Sequence, residues 1–168
     1  MSTDGVDGYV TVRLAVTLTD TQSNVYAMAG TADTTMSFPP AFQVAAPFGA
    51  DIGGVSPAFF PVSAEAEFDS WLTIGITDGT TPGAIAASPG FDIAGSWTAD
   101  TGLSETNSAI FFMDPSTMGA NSGDGSIVMA QMTVSNAVAA AGGTATAKLQ
   151  GRSTGDLDDW TYEATWAW

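Results

Sequence analysis

The side chains in this sequence with the most capacity for chemistry are carboxylates. Among 168 residues there are 18 Asp and Glu against three Lys and Arg, with no His and no Cys. That composition removes thiol nucleophiles, Ser-His-Asp triads, Cys/His zinc sites and imidazole acid–base catalysis. What remains is work done by pairs or groups of acids. Glu65, Glu67 and Asp69 stand at period two immediately before Trp71, in the phrase "EAEFDSWLTIG". Two carboxyl groups roughly 5–10 Å apart beside an aromatic ring are what glycoside hydrolysis needs. The competing reading is a strand entering a sheet, with Asp69 and Ser70 making local turn hydrogen bonds. The second reading is preferred, and no catalytic residue is expected.

A second group of acids suggests a cation. Asp156, Asp158, Asp159 and Glu163 lie close together in "GDLDDWTYE", and Asn121 and Asp124 add further hard oxygens. Oxygen ligands carried on loops suit Ca²⁺. A complete D-x-D-x-D-G loop is missing, and the same acids would serve equally in Asx-turns on a solvated rim. No cofactor is expected beyond a structural Ca²⁺ held in these loops. A third group is aromatic. Trp71, Trp97, Trp166 and Trp168 would stack sugar rings if exposed, as in a carbohydrate-binding module, and would form core if buried.

These residues must be positioned by strands. "YVTVRLAVTL" (Tyr9–Leu18) alternates apolar with polar or small residues over its whole length, the period of a half-buried strand. "VYAMAG" (Val25–Gly30) is expected to return beside it as a hairpin. Ser70–Ile76 reads as a strand with Leu72, Ile74 and Ile76 opposite Trp71, Thr73 and Gly75. Residues 91–97 suggest a short strand, and Ala109–Met113 a buried one. Ser126–Val134 places Val128, Ala130, Met132 and Val134 on one face. Gly142-Gly143 favours a hairpin turn over an Ala-rich helix. The closing strand puts Trp160, Tyr162, Ala164, Trp166 and Trp168 on one face, and pairing of the first and last strands is expected.

Short strands separated by turn signals predict an all-β fold, an antiparallel β-sandwich or jelly roll of about eight to ten strands. One domain spans residues 1–168, with 1–8 as a flexible lead-in. A long Pro/Phe-rich loop interrupts it: residues 39–63 contain five prolines, with Asp51 the sole charge. Such a segment either folds over one end of the core or forms an interface, and Phe42, Phe48, Phe59 and Phe60 are its anchors in both cases.

A net charge of −15 argues against nucleic acid and anionic membrane surfaces as partners, and no apolar run is long enough for a membrane span. The expected setting is secreted or cell-surface, or an organelle after removal of a targeting segment. The expected partner is another copy or an assembly partner, with a glycan as the alternative.

Two phrases also carry a resemblance. Asp69, Ser70, Trp71, Thr73, Ile74 and Gly75 match an F/Y-D-S-W-hydrophobic-T-I-G strand. Val128, Met129, Ala130, Gln131, Met132 and Thr133 match a later V-L/M-A-Q-hydrophobic-T strand. With these, the chain resembles uncharacterised extracytoplasmic β-domains of planctomycete-type exported proteins and of diatom and haptophyte algae, over most of residues 9–162. Shell proteins of the diatom pyrenoid offer an analogy. The resemblance implies a structural, self-assembling role in a shell, surface layer or extracellular matrix.

Overall fold

The computed structural model describes residues 5–114, 120–121, 125–155 and 158–168. In chain order the strands are β1 (Tyr9–Thr17), β2 (Asn24–Val25), β3 (Ala27–Gly30), β4 (Met36–Phe38), β5 (Trp71–Leu72), β6 (Ile85–Ala87), β7 (Leu103–Glu105), β8 (Ser108–Phe112), β9 (Ala120–Asn121), β10 (Ser126–Ser135), β11 (Thr144–Arg152) and β12 (Asp159–Ala167). Two short helices, α1 (Ile93–Ser96) and α2 (Asn136–Ala141), complete them, with 3₁₀ turns at Pro57–Phe59 and Ala64–Phe68. The predicted all-β, antiparallel sandwich-like architecture is what forms. Among the described residues no helix is long and apolar enough to cross a membrane.

A small sheet, β1-β10-β5, lies over a seven-stranded sheet. In the large sheet β11 is central. Its one edge takes β12 along the full strand; its other edge takes β3 and β4 end to end, Leu149 opposite Met28 and Thr146 opposite Ser37. β8 and β6 extend the sheet beyond β3, and β7 beyond β4. Between the sheets lies one core, in which Leu14, Leu72 and Met132 of the small sheet meet Met28, Ile110 and Leu149 of the large one.

Several sequence expectations change. β1 makes no hairpin with the Val25–Gly30 segment; it pairs with β10, while β3 joins β8 and β11. The turn after β1 carries the chain to the other sheet, and alternation alone does not say which neighbour a strand takes. β1 and β12 belong to different sheets and do not pair. Residues 93–96 are helical because the Asp92 side chain caps Gly95 N–H at 3.0 Å. The Ala-rich run is α2, capped by Ser135 on Val138 N–H, and Gly142 ends it at φ +73°. Of the lead-in, residues 5–8 turn onto the Phe68 ring, which fills the place a Cβ on Gly5 would take.

In β10, a bulge shifts the register between Leu14/Ala130 and Ala15/Val128, leaving Met129 as the extra residue. Ile127, Met129, Ala130, Met132 and Val134 therefore face the main core, and Val128 moves to the opposite side against the cluster of Val55, Ala66 and Trp71. The expected common face of Val128 with Ala130, Met132 and Val134 is corrected by that single inserted residue.

Within residues 39–69, Phe48, Ala50, Val55, Phe60 and Ala66 form a third layer with Trp71 and Val128 on the back of the small sheet, while Ala41 and Ile52 reach the main core. Residues 51–53 run beside β5, with Leu72 N–H donating to Asp51 O and Gly53 N–H to Leu72 O. After β5 the chain continues along β10 past the bulge, Gly75 N–H reaching Val128 O at 2.9 Å. Gly75 sits at φ +83°, and an added Cβ would lie 2.8 Å from Ala120 Cβ. Gly83 has a similar φ of +79° with nothing within 4 Å. Gly75→Ala should therefore cost about 2–4 kcal/mol, combining left-handed strain with overpacking, and Gly83→Ala about 1 kcal/mol from strain alone. Urea unfolding of both variants measures this; an equal or reversed order would refute the packing component.

Candidate functional site

The two phrases that carry the sequence resemblance lie against each other. Gln131 Nε2 donates to Glu67 O at 3.0 Å and to Asp69 O at 2.8 Å. Thr133 N–H donates to Ser70 Oγ at 2.9 Å, and its hydroxyl donates to Phe68 O. Gln131 Oε1 in turn accepts from Arg13 Nε at 2.9 Å, and the Arg13 guanidinium lies 5.7 Å above the Trp71 ring. Asp69 completes the arrangement. Its carboxylate accepts Val44 N–H and Ala50 N–H, each at 2.7 Å, and so fixes both arms of the long loop. Asp69, Ser70 and Thr133 are fully buried. Burial raises the Asp69 pKa to about 6, a shift that the backbone N–H donors oppose and Asp51 reinforces.

The three acids before Trp71 are thus divided. Residues 64–68 form a 3₁₀ turn, so the period-two spacing of these acids does not put them on one face of a strand. Glu65 and Glu67 are exposed and Asp69 is enclosed. The carboxylate that ends up in the protein interior is occupied by backbone donors.

The proposed Ca²⁺ ligands are also separated. Asp156 and Asp124 lie outside the described residues. Asp159 and Glu163 are in β12, four residues apart, and a strand sets such residues about 13 Å from each other, too far for one cation bound at 2.3–2.6 Å. Asp159 accepts from the Tyr26 hydroxyl and pairs with Arg152 at 2.7 Å. The Tyr26 hydroxyl lowers the Asp159 pKa, with Arg152 adding to it; burial and that same carboxylate push Tyr26 up to about 12. Glu163 accepts from Thr34 Oγ1 at 2.7 Å, and Asp158 is exposed. Among the described residues no three His, Cys, Asp or Glu are grouped to hold a metal.

The aromatic candidates divide in the same way. Trp71 is 2% exposed and Trp97 is fully buried, its Nε1 donating to Pro39 O at 2.7 Å. Neither indole offers a face to a sugar. Trp166 and Trp168 are half-buried; Trp166 Nε1 donates to Ala15 O, and Trp168 packs on Gly143. In the long loop, Phe42 packs on Tyr9, Phe48 on Phe59, and Phe60 against the Val55–Ala66–Trp71 cluster. Phe42, Phe48 and Phe60 are thus partly covered by the protein itself, whereas Phe59, Val62 and the small and proline residues at 45–47, 57–58 and 61 are exposed.

The large open feature is elsewhere. β12 borders the seven-stranded sheet, and among the described residues no strand lies beyond it. Gly143 and Trp168 exchange both backbone hydrogen bonds at 3.2 Å, which sets the phase of the ladder. Even-numbered residues of β12 bond to β11, and Asp159, Thr161, Glu163, Thr165 and Ala167 direct N–H and C=O outward. All five are exposed. β1, the matching edge of the small sheet, runs alongside. Between the two edges lies a groove of about 410 Å³ lined by Val16, Leu18, Leu149, Trp160, Tyr162 and Trp166. Tyr162 is 58% exposed. The period-two pattern of this strand was visible in the sequence, but a lone strand does not reveal that it stands at an edge.

The chain matches no protein-family model, and neither a curated protein nor a solved structure is significantly similar to it.

Asp69 generates a pH dependence of definite sign. Its folded pKa of about 6 exceeds the ordinary 3.8, so its contribution to stability is complete below about pH 4 and lost as pH rises through 6. Compared with Asp69→Asn, which does not titrate, the wild type should gain up to about 3 kcal/mol between pH 7 and pH 4. Urea unfolding of both proteins across that range isolates this group from the other acids. A constant difference between them would show that Asp69 does not titrate in this window.

Proposed function

We propose that this protein is a non-enzymatic structural β-domain that assembles through an open strand edge, as a component of a shell, surface layer or extracellular matrix. The observation that carries the reading is the outer edge of β12: nine residues of continuous ladder, with no Pro, Lys or bulge within them. Long edges are normally blunted by such devices, because unpaired N–H and C=O groups recruit another strand. The resemblance to exported and algal β-domains belongs to the same reading. So does the acidity: a charge of −15 keeps chains apart at low ionic strength and leaves specific pairing available when salt screens it.

A glycan in the groove beside β12 is the second reading, supported by the half-buried Trp160 and Trp166 and the exposed Tyr162 that line it. Tryptophan fluorescence titrated with a glycan panel separates the two, since assembly predicts no saturable response to sugar.

The assembly reading is tested by sedimentation velocity over a range of protein concentrations, at low and high NaCl and with and without Ca²⁺. The expected result is concentration-dependent association that Thr165→Pro removes. That proline deletes an outward N–H and leaves the ladder to β11 intact. A chain that stays monomeric under all these conditions does not have this function.

A further inference from the structure

We infer that the strand which completes the β12 edge is β12 of a second copy, running antiparallel about a two-fold axis at Ala164. This specifies the geometry of the assembly proposed above and rests on it.

Outward groups belong to odd-numbered residues, so a two-fold pairing must set odd residues opposite odd residues. An axis at Glu163 would do so, but places Glu163 directly against its own symmetry mate, a destabilising like-charge pair. An axis at Tyr162 draws Asp158 and Asp159 into the ladder, although Asp159 is already engaged by Tyr26 and Arg152. With the axis at Ala164, Glu163 lies opposite Thr165 of the second copy, and Thr161 opposite Ala167. Asp158 and Asp159 fall outside the overlap. The sole ionised side chain in the shared ladder then meets a hydroxyl.

The other face of the strand agrees. Ala164 meets Ala164 on the axis, where its small side chain admits close approach. Tyr162 meets Trp166 of the second copy, while the Trp160 and Trp168 indoles lie back over Gly151 and Gly143 of the same chain. These positions are non-hydrogen-bonded pairs, in which side chains come closest, and aromatic cross-strand pairs there are favourable. The exposed Tyr162 ring gains a neighbour, and about eight backbone hydrogen bonds join the two large sheets into one. Two copies of this acidic chain repel each other, so pairing must strengthen with salt. A cationic peptide bound at the same edge would weaken with salt.

Sedimentation equilibrium at about 0.1 M and about 1 M NaCl, covering the 10–3 Å range of screening lengths, tests this with wild type, Thr165→Lys and Thr165→Glu. Thr165 is exposed, and unchanged thermal unfolding verifies that each variant folds. In the inferred register, Thr165→Lys places lysine against Glu163 of the other copy twice per dimer, and Thr165→Glu places glutamate there. Dimerisation should tighten for the first and loosen for the second, each by roughly 2- to 30-fold, and the wild-type dimer should tighten with salt. Association that responds equally to both substitutions overturns the register while leaving assembly through another surface intact. A monomer at every salt and protein concentration overturns this inference and the assembly reading together.

Discussion

The structure depends on a polar interaction placed where apolar packing would be expected. On the back of the small sheet stand Gln131 and Thr133, whose side chains meet Arg13 and Thr11 of β1 and still carry hydrogen-bonding capacity that β1 does not fill. Residues 67–70 supply the partners: three backbone carbonyls and the Ser70 hydroxyl. Leaving such groups buried and unpaired costs about 1–3 kcal/mol each, so the 39–69 layer cannot slide along the sheet without losing several at once. Asp69 extends the constraint outward, because one carboxylate holds both Val44 and Ala50. The apolar cluster of Val55, Ala66 and Trp71 fills what remains. Hydrophobic burial drives this layer down, and the hydrogen bonds determine its position.

That constraint also decides which strand edges stay open. Residues 51–53 run along β5 and close one side of the small sheet. At the far side of the large sheet, β6 and β7 are three residues each, too short to template much pairing. Among the described residues the long free edges, β1 and β12, lie together on the remaining side. On that side Trp166 reaches from β12 to Ala15 O and ties the two sheets at their margin. The fold therefore pins its irregular, proline-rich segment and presents its most regular strand.

How much of this could be read in advance follows from the range of each interaction. The alternation of Tyr9–Leu18 and Trp160–Trp168 is local, and both strands form as their sequences indicate. The Met129 bulge is also local in space, but nothing in "SIVMAQMTV" marks which residue will be extra, since every candidate is apolar or small. Glu65, Glu67 and Asp69 had the spacing of a strand face, yet the chain folds there as a 3₁₀ turn because Gln131 and Thr133, over sixty residues away, require its carbonyls. The two phrases were each conspicuous in the sequence; that they are the two halves of one hydrogen-bonded contact was not. Likewise, the acids of β12 looked like a loop cluster and are spread along a strand.

The placement of the few cations follows the same logic and bears on the open edge. In a chain with 18 acids, ion pairing is a scarce resource. Arg13 is used on Trp71 and Gln131, where it covers an indole and orients the amide that holds the long loop. Arg152 pairs with Asp159 at the first residue of β12, beside the buried Tyr26 hydroxyl. A surface pair of this kind adds little stability by itself, but it neutralises the acid at the mouth of the edge and holds it against its own sheet. Glu163 is restrained differently, by Thr34 on the outer face. The carboxylates of β12 are thus held by neighbouring side chains, and the backbone between them is left uncovered. In the proposed assembly these positioned acids would make the edge selective: a second strand would add to it only in registers that keep like charges apart.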